Sequence, residues 1–231
     1  MLESQNKLVA VSEFCKYPPE TSQIPKTGGL VQINIEKLLS FNPDLVLIGS
    51  IITREDVEKI EKSGIKIIAI KEENKISGIY NALNQLGKIL NKKELANKKI
   101  NDLKQQLSQI NVQEVKIPKS VYYVVGFGPG GDFTAPANSH INDIIVLAGG
   151  KNVGEKLISW SVSREFLFQE NPDLIFVRKE DFEYFTTTYP YSALKAVKNH
   201  HTYPIESGWI DVISPRNILA IQEIHNKIKN Q

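Results

Sequence analysis

Short runs of β-branched and apolar residues alternate along the chain with stretches whose apolar positions recur at helical spacing. Residues 8–11, 44–48, 66–70, 121–127, 173–177 and Thr202–Ile205 predict strands. A segment opening at Thr53, a residue suited to an N-cap, places Val57 and Ile60 on one face and stops at Gly64. The last helical segment opens at Ser214, has Pro215 at its first position and turns Ile218, Leu219 and Ile224 inward. Strands alternating with helices predict an α/β fold with parallel, helix-covered sheets. From about residue 76 to 110 no strand pattern is present. Residues 92–110 are polar, with a narrow stripe of Leu95, Leu103, Leu107 and Ile110. As a helix they span about 28 Å at ~1.5 Å per residue. Such a helix is either an ordinary surface helix or a rigid connector between two α/β lobes. The second reading divides the chain into 1–91, a connecting helix over 92–112, and 113–231.

The two halves match each other. Residues 33–48 read INIEKLLSFNPDLVLI and residues 162–177 read VSREFLFQENPDLIFV, with no gap between them. Glu36 falls on Glu165, and Asn42-Pro43-Asp44-Leu45 on Asn171-Pro172-Asp173-Leu174. In each copy Asn34 or Ser163 caps a short helix, and a glutamate follows in its first turn, where the helix dipole favours a carboxylate. Asn-Pro then ends the helix, because proline disfavours helical geometry at the residue before it. Asp-Leu leads into a buried strand. One helix–turn–strand unit used twice implies two related lobes. Glu36 and Glu165 either stabilise their helices by about 0.3–1 kcal/mol each or present paired carboxylates to a partner with two equivalent basic sockets.

Composition narrows the function. The 231 residues are 41% hydrophobic and 23% charged, which is globular rather than disordered. A net charge of +2 gives no reason to expect a nucleic-acid groove. No stretch approaches the ~20 apolar residues of a membrane span, and residues 1–7 lack the pattern of a signal segment. The one cysteine, Cys15, cannot form an internal disulfide and reads as a small loop residue. The glycine-rich run over residues 126–131 follows a strand but lacks nucleotide-binding spacing, and the next helix starts only near Ser139, so it reads as a turn. His140, His200, His201 and His225 form no metal-ligand spacing, His140 reads as a surface residue, and Asp132 with Asp143 is a weak pair. No catalytic arrangement is present.

The run Val9-Ala10-Val11-Ser12-Glu13-Phe14-Cys15-Lys16-Tyr17-Pro18-Pro19 resembles the opening of cobalamin-binding proteins of ABC importers. These belong to the binding-protein class with a rigid helical backbone, which also serves ferric siderophores and haem. Ala148-Gly149-Gly150-Lys151-Asn152-Val153, Ser163-Arg164-Glu165 and Trp209-Ile210-Asp211-Val212-Ile213-Ser214-Pro215-Arg216 extend the similarity to the final helix.

The resemblance implies two Rossmann-like lobes joined by one long helix, working outside the cytoplasm without catalysis. It implies a bulky metal chelate held between the lobes, with no other cofactor. It also implies that Glu36 and Glu165 dock on an ABC permease dimer. Phe14 falls where the cobalamin binders carry a tyrosine, Trp160 on a pocket tryptophan, and Gly208, Trp209, Ile210, Asp211 and Val212 on a loop that closes over the ligand. Tyr17 adds aromatic surface, as could Tyr122, Tyr123, Tyr184 and Tyr189. Two further pocket tryptophans fall on Leu30 and Gly49, a departure that opens the site to a ferric siderophore or haem. The first strand and helix of the N-terminal lobe are also missing, and an uncovered sheet edge would favour pairing with a second copy. Two readings of other classes remain: a cleft metallocluster enzyme, which needs more cysteines, and a scaffold or signalling relative without ligand.

Overall fold

The computed structural model describes residues 2–29, 33–49, 52–70, 73–110, 112 and 115–231. The chain divides into two compact units, Met1–Glu73 with Tyr80–Lys99 and Asn74–Ile79 with Ile100–Gln231.

The first unit holds α1 (Ile35–Ser40), β1 (Leu45–Ile48), α2 (Arg54–Lys62) and β2 (Lys66–Ala69). Thr53 caps α2 by accepting from the Asp56 amide at 3.1 Å, and Ile60 is its fully buried residue. β1 and β2 pair in parallel. Two helices follow, α3 (Ser77–Ile89) and α4 (Lys93–Ser108), and the division into units falls within each of them. The strand expected over residues 8–11 does not form: Val11 makes only an isolated parallel bridge to Lys26. A strand needs a neighbour, and among the described residues none pairs with this run beyond that bridge.

The second unit is built on β3 (Ser120–Val124), β4 (Asp132–Phe133), α5 (His140–Leu147), β5 (Lys151–Asn152), β6 (Ser161–Val162), α6 (Arg164–Glu170) and β7 (Leu174–Arg178). It ends with α7 (Phe182–Thr187), α8 (Lys195–Lys198), β8 (Thr202–Ile205), α9 (Ser207–Ile210) and α10 (Asn217–Lys229). Its main sheet is parallel throughout, in the order β5-β3-β7-β8. Val121 to Val124 and Leu174 to Val177 are all buried, as expected of strands covered on both faces. Tyr122, Val124, Ile175 and Val177 pack with Leu167, Phe185, Tyr191 and Leu194. On the α5 and α10 side Gly150 leaves no room for a side chain: a Cβ there would lie 2.9 Å from Val121 and 3.1 Å from Ile228.

The helix–turn–strand repeat is present in both units. Asn34 accepts from the Lys37 amide at 2.9 Å, and Ser163 from the Phe166 amide at 3.1 Å. Asn42 and Asn171 take left-handed backbones, φ 45° and 43°, which asparagine tolerates better than most residues. β1 then begins at Leu45 and β7 at the equivalent Leu174.

The final helix differs from the sequence reading in its start and in one residue of its inner face. Residues 214–216 form a turn, and α10 begins only at Asn217, whose buried side chain accepts from the Ser214 amide at 2.8 Å. Leu219, expected inside, is 37% exposed.

Candidate functional site

In the second unit the chain steps from β3 to β5 in one direction across the sheet and from β7 to β8 in the other. The topological switch point therefore lies between β3 and β7. In open parallel sheets ligands bind beyond the carboxyl ends of the strands at such a point. Three segments leave there: residues 125–131 after β3, the turn Lys179–Asp181 after β7, and α9 after β8.

A polar cluster fastens α9 from beneath. The Tyr123 hydroxyl donates to Asp211 Oδ1 at 2.5 Å, and Arg178 Nε to Asp211 Oδ2 at 2.7 Å. His140 Nε2 donates to the Ile210 carbonyl at 2.8 Å, and Asn217 Nδ2 donates to the Trp209 and Val212 carbonyls at 2.8 and 3.0 Å. Burial first, then the neighbouring Asp211 charge, pushes the Tyr123 phenol far up, so it stays a donor. A Cβ on Gly208 would come within 2.8 Å of the Arg216 guanidinium, which would have to move aside.

A second cluster fixes the glycine-rich run. Buried Asp132 accepts from the Tyr191 hydroxyl and from the Gly128 amide at 3.2 Å. Arg164, the first residue of α6, donates through Nε to Asp132 at 3.2 Å and through Nη2 to the Gly128 carbonyl at 3.1 Å. The Tyr191 hydroxyl lies 3.1 Å from the Gly128 amide. Gly126 bridges Phe133, and Thr134 joins the Tyr123 carbonyl to the Trp160 backbone. Trp160 therefore stands over the carboxyl end of β3. Phe127, on the same run, packs against Tyr184, Phe185 and Tyr191.

The structure sorts the expected ligand residues. Trp160 is 37% and Val212 55% exposed, and Trp209 is half-buried. Ile210 is sealed inside, and Asp211 bonds Tyr123 and Arg178, so both hold the loop. Tyr122 and Tyr123 are core residues, whereas Tyr184 and Tyr189 are exposed. In the first unit Phe14 and Tyr17 are both exposed, and Phe14 lies 3.7 Å from where a Cβ on Gly29 would stand. Gly49 is exposed, and Leu30 lies outside the described residues. Among the described residues no three His, Cys, Asp or Glu side chains gather to hold a metal ion.

Sequence reasoning missed the roles of Asp132, Tyr191 and Arg178, whose partners lie tens of residues away, and that of Asn217, which ties down the turn just before it. It also placed His140 at the surface, where the structure buries it. Burial lowers the His140 pKa from 6.5, against opposing contributions from the Ile210 carbonyl, Asp211 and Asp143. The unfolded chain thus protonates this ring near pH 6.5 and the folded protein only at lower pH. The stabilisation is complete above about pH 6.5 and is lost as pH falls through that value toward the folded pKa. Urea midpoints should therefore fall between about pH 7.5 and about pH 5.5, and His140→Gln should flatten the fall. An equally steep fall in the variant would show that His140 is not its source.

Glu36 and Glu165 are both exposed in the first turns of α1 and α6. The Glu165 carboxyl is held below its usual range by its own amide and by the Ser163 hydroxyl, so it is charged at neutral pH.

A repeated helix–turn–strand unit, with apolar side chains on loops braced at the carboxyl ends of a parallel sheet, defines an α/β ligand-binding protein. The chain belongs to the periplasmic binding protein family, whose model matches residues 1–207. It is 26% identical over 226 residues to a vitamin B12-binding protein of Vibrio vulnificus, covering 95% of this chain and 81% of that one. It is 24% identical over 240 residues to an uncharacterized ABC transporter substrate-binding lipoprotein of Bacillus subtilis, covering 96% and 73%. The fold matches a periplasmic heme binding protein from Pseudomonas aeruginosa with TM-score 0.89 at 18% identity, over 100% of this chain and 88% of that one.

Proposed function

We propose that this chain is the extracytoplasmic substrate-binding component of an ABC importer, capturing a bulky metal chelate and delivering it to a membrane permease. The observation that carries this is the placement of Trp160, Trp209 and Val212 on loops that buried polar clusters hold at the carboxyl end of the second unit's sheet. Exposed apolar surface on braced loops suits a large, flat, partly apolar ligand, which needs little reorganisation to bind. Phe14 and Tyr17 are further candidate contacts. Cobalamin or another corrinoid is the first ligand, supported by the Vibrio vulnificus relative. Haem or a ferric siderophore is the second reading, favoured because Leu30 and Gly49 stand where the cobalamin binders carry tryptophans. Among the described residues no helix is long and apolar enough to cross a membrane.

Docking is assigned to Glu36 and Glu165. Both sit at the same position of the repeat, so two equivalent basic sites on a permease dimer could receive them. Removing both should leave ligand affinity within about twofold. Uptake through the permease should fall roughly tenfold or more, as when one partner of an interfacial charge pair is lost. Uptake that survives Glu36→Ala with Glu165→Ala would refute this docking mode.

A further inference from the structure

Residues 12–25 of the first unit form a loop closed at its base by the Val11–Lys26 bridge. There the Val11 amide donates to the Pro25 carbonyl at 2.9 Å and the Thr27 amide to the Val11 carbonyl at 3.0 Å. The Glu13 amide adds a bond to the Gly28 carbonyl at 3.0 Å. Beyond this base the loop has no apolar core of its own. Among its described residues only Thr21 is buried, while Phe14 and Tyr17 are both exposed. A segment with few buried apolar contacts is held by its polar bonds or is mobile.

Those bonds converge on two side chains. Thr21 Oγ1 lies 2.8 Å from the Pro18 carbonyl and 3.0 Å from the Cys15 carbonyl, with one proton to share between them. Lys26 Nζ donates to the Thr21 carbonyl at 2.7 Å and to the Cys15 carbonyl at 3.1 Å. Among the described residues this ammonium makes no ion pair, so its charge is directed at main-chain oxygens. Hydrogen bonds from a charged donor are roughly twice as strong as those between neutral groups. The Cys15 carbonyl is the acceptor common to Thr21 and Lys26, and it stands between Phe14 and Tyr17 in the chain.

We infer that Lys26 is a positioning residue for ligand capture: its ammonium, together with the Thr21 hydroxyl, holds this loop in the shape that presents Phe14 and Tyr17. The inference rests on the chelate-binding reading above, in which both rings are candidate contacts. A loop shaped before the ligand arrives loses less freedom on binding, and the smaller loss appears as affinity.

Hydrogen exchange and calorimetry on the full chain test this together. Lys26→Met keeps an unbranched apolar stem and removes the donors. In the free protein the amides of Glu13, Cys15, Thr21 and Ile24, all bonded within or at the base of the loop, should then exchange about tenfold faster, with β1 and β2 unchanged. Lys26→Arg, which still carries charged donors, should restore most of the protection. Each protein is also titrated with cyanocobalamin, haemin and a ferric hydroxamate. The probe that the wild type binds should be held about tenfold more weakly by Lys26→Met and within about threefold of wild type by Lys26→Arg. With Phe14 and Tyr17 both replaced by alanine, Lys26→Met should weaken affinity no further, because no ring remains for the loop to position. Unchanged exchange in Lys26→Met would overturn the brace whatever the ligand is. Affinity indifferent to Lys26→Met, or weakened equally in the alanine background, would overturn the positioning role alone. A wild type that binds none of the three would overturn the chelate-binding reading, and this inference with it, even where the exchange rates respond as expected.

Discussion

Replacing Asp132 with alanine should destabilise the protein by about 3 kcal/mol, read as a lower urea midpoint at unchanged slope. The Asp132 carboxylate is buried and accepts from the Tyr191 hydroxyl and the Gly128 amide, both buried. Alanine takes the acceptor from the buried Tyr191 hydroxyl and leaves the Gly128 amide only its bond to the Tyr191 oxygen, and an orphaned buried group costs about 1–3 kcal/mol. The ion pair with Arg164 adds little, because that side chain is 47% exposed and water screens it. Asp132→Asn keeps the shape and one acceptor oxygen, so about half the loss should return. A loss below about 1 kcal/mol in the alanine variant would mean that Tyr191 and Gly128 find other partners.

The second large effect is on ligand binding. Trp160 exposes 37% of its surface, on the order of 90 Å² for a side chain of about 250 Å². Covering that area at about 25 cal/mol per Å² contributes ~2 kcal/mol, which corresponds to roughly thirtyfold in affinity. Trp160→Ala should therefore weaken binding of the chelate by about that factor. Stability should change little, because the indole is not part of the core and its backbone carbonyl still accepts from the Thr134 amide. Unchanged affinity would remove Trp160 from the site.

Local chemistry made the repeat legible in the sequence. Asn34 and Ser163 cap their helices, Asn42 and Asn171 turn the chain, and Leu45 and Leu174 open strands, all through neighbours a few residues away. The parallel strands were legible because Tyr122, Tyr123 and the run from Leu174 to Val177 are apolar without alternation. The clusters that brace the loops were not. Tyr123 meets Asp211 across 88 residues and Tyr191 meets Asp132 across 59, and no periodicity reports such pairings. Residues 8–11 misled for the opposite reason: their composition suits a strand, but a strand exists only with a neighbour. The start of α10 was misplaced because Pro215 suits the first position of a helix as well as it suits the turn it occupies.

Fluorescence titration tests the central claim most directly, because Trp160 and Trp209 are the only tryptophans and both belong to the proposed site. The full chain, Trp160→Phe and Trp209→Phe are titrated with cyanocobalamin, haemin and a ferric hydroxamate, with inner-filter correction. Saturable quenching by one of these at micromolar concentration or below is expected, visible from each tryptophan alone and weakened in Trp160→Ala. Quenching by none of them, or quenching of the same strength in Trp160→Ala, would contradict capture of a metal chelate at these loops.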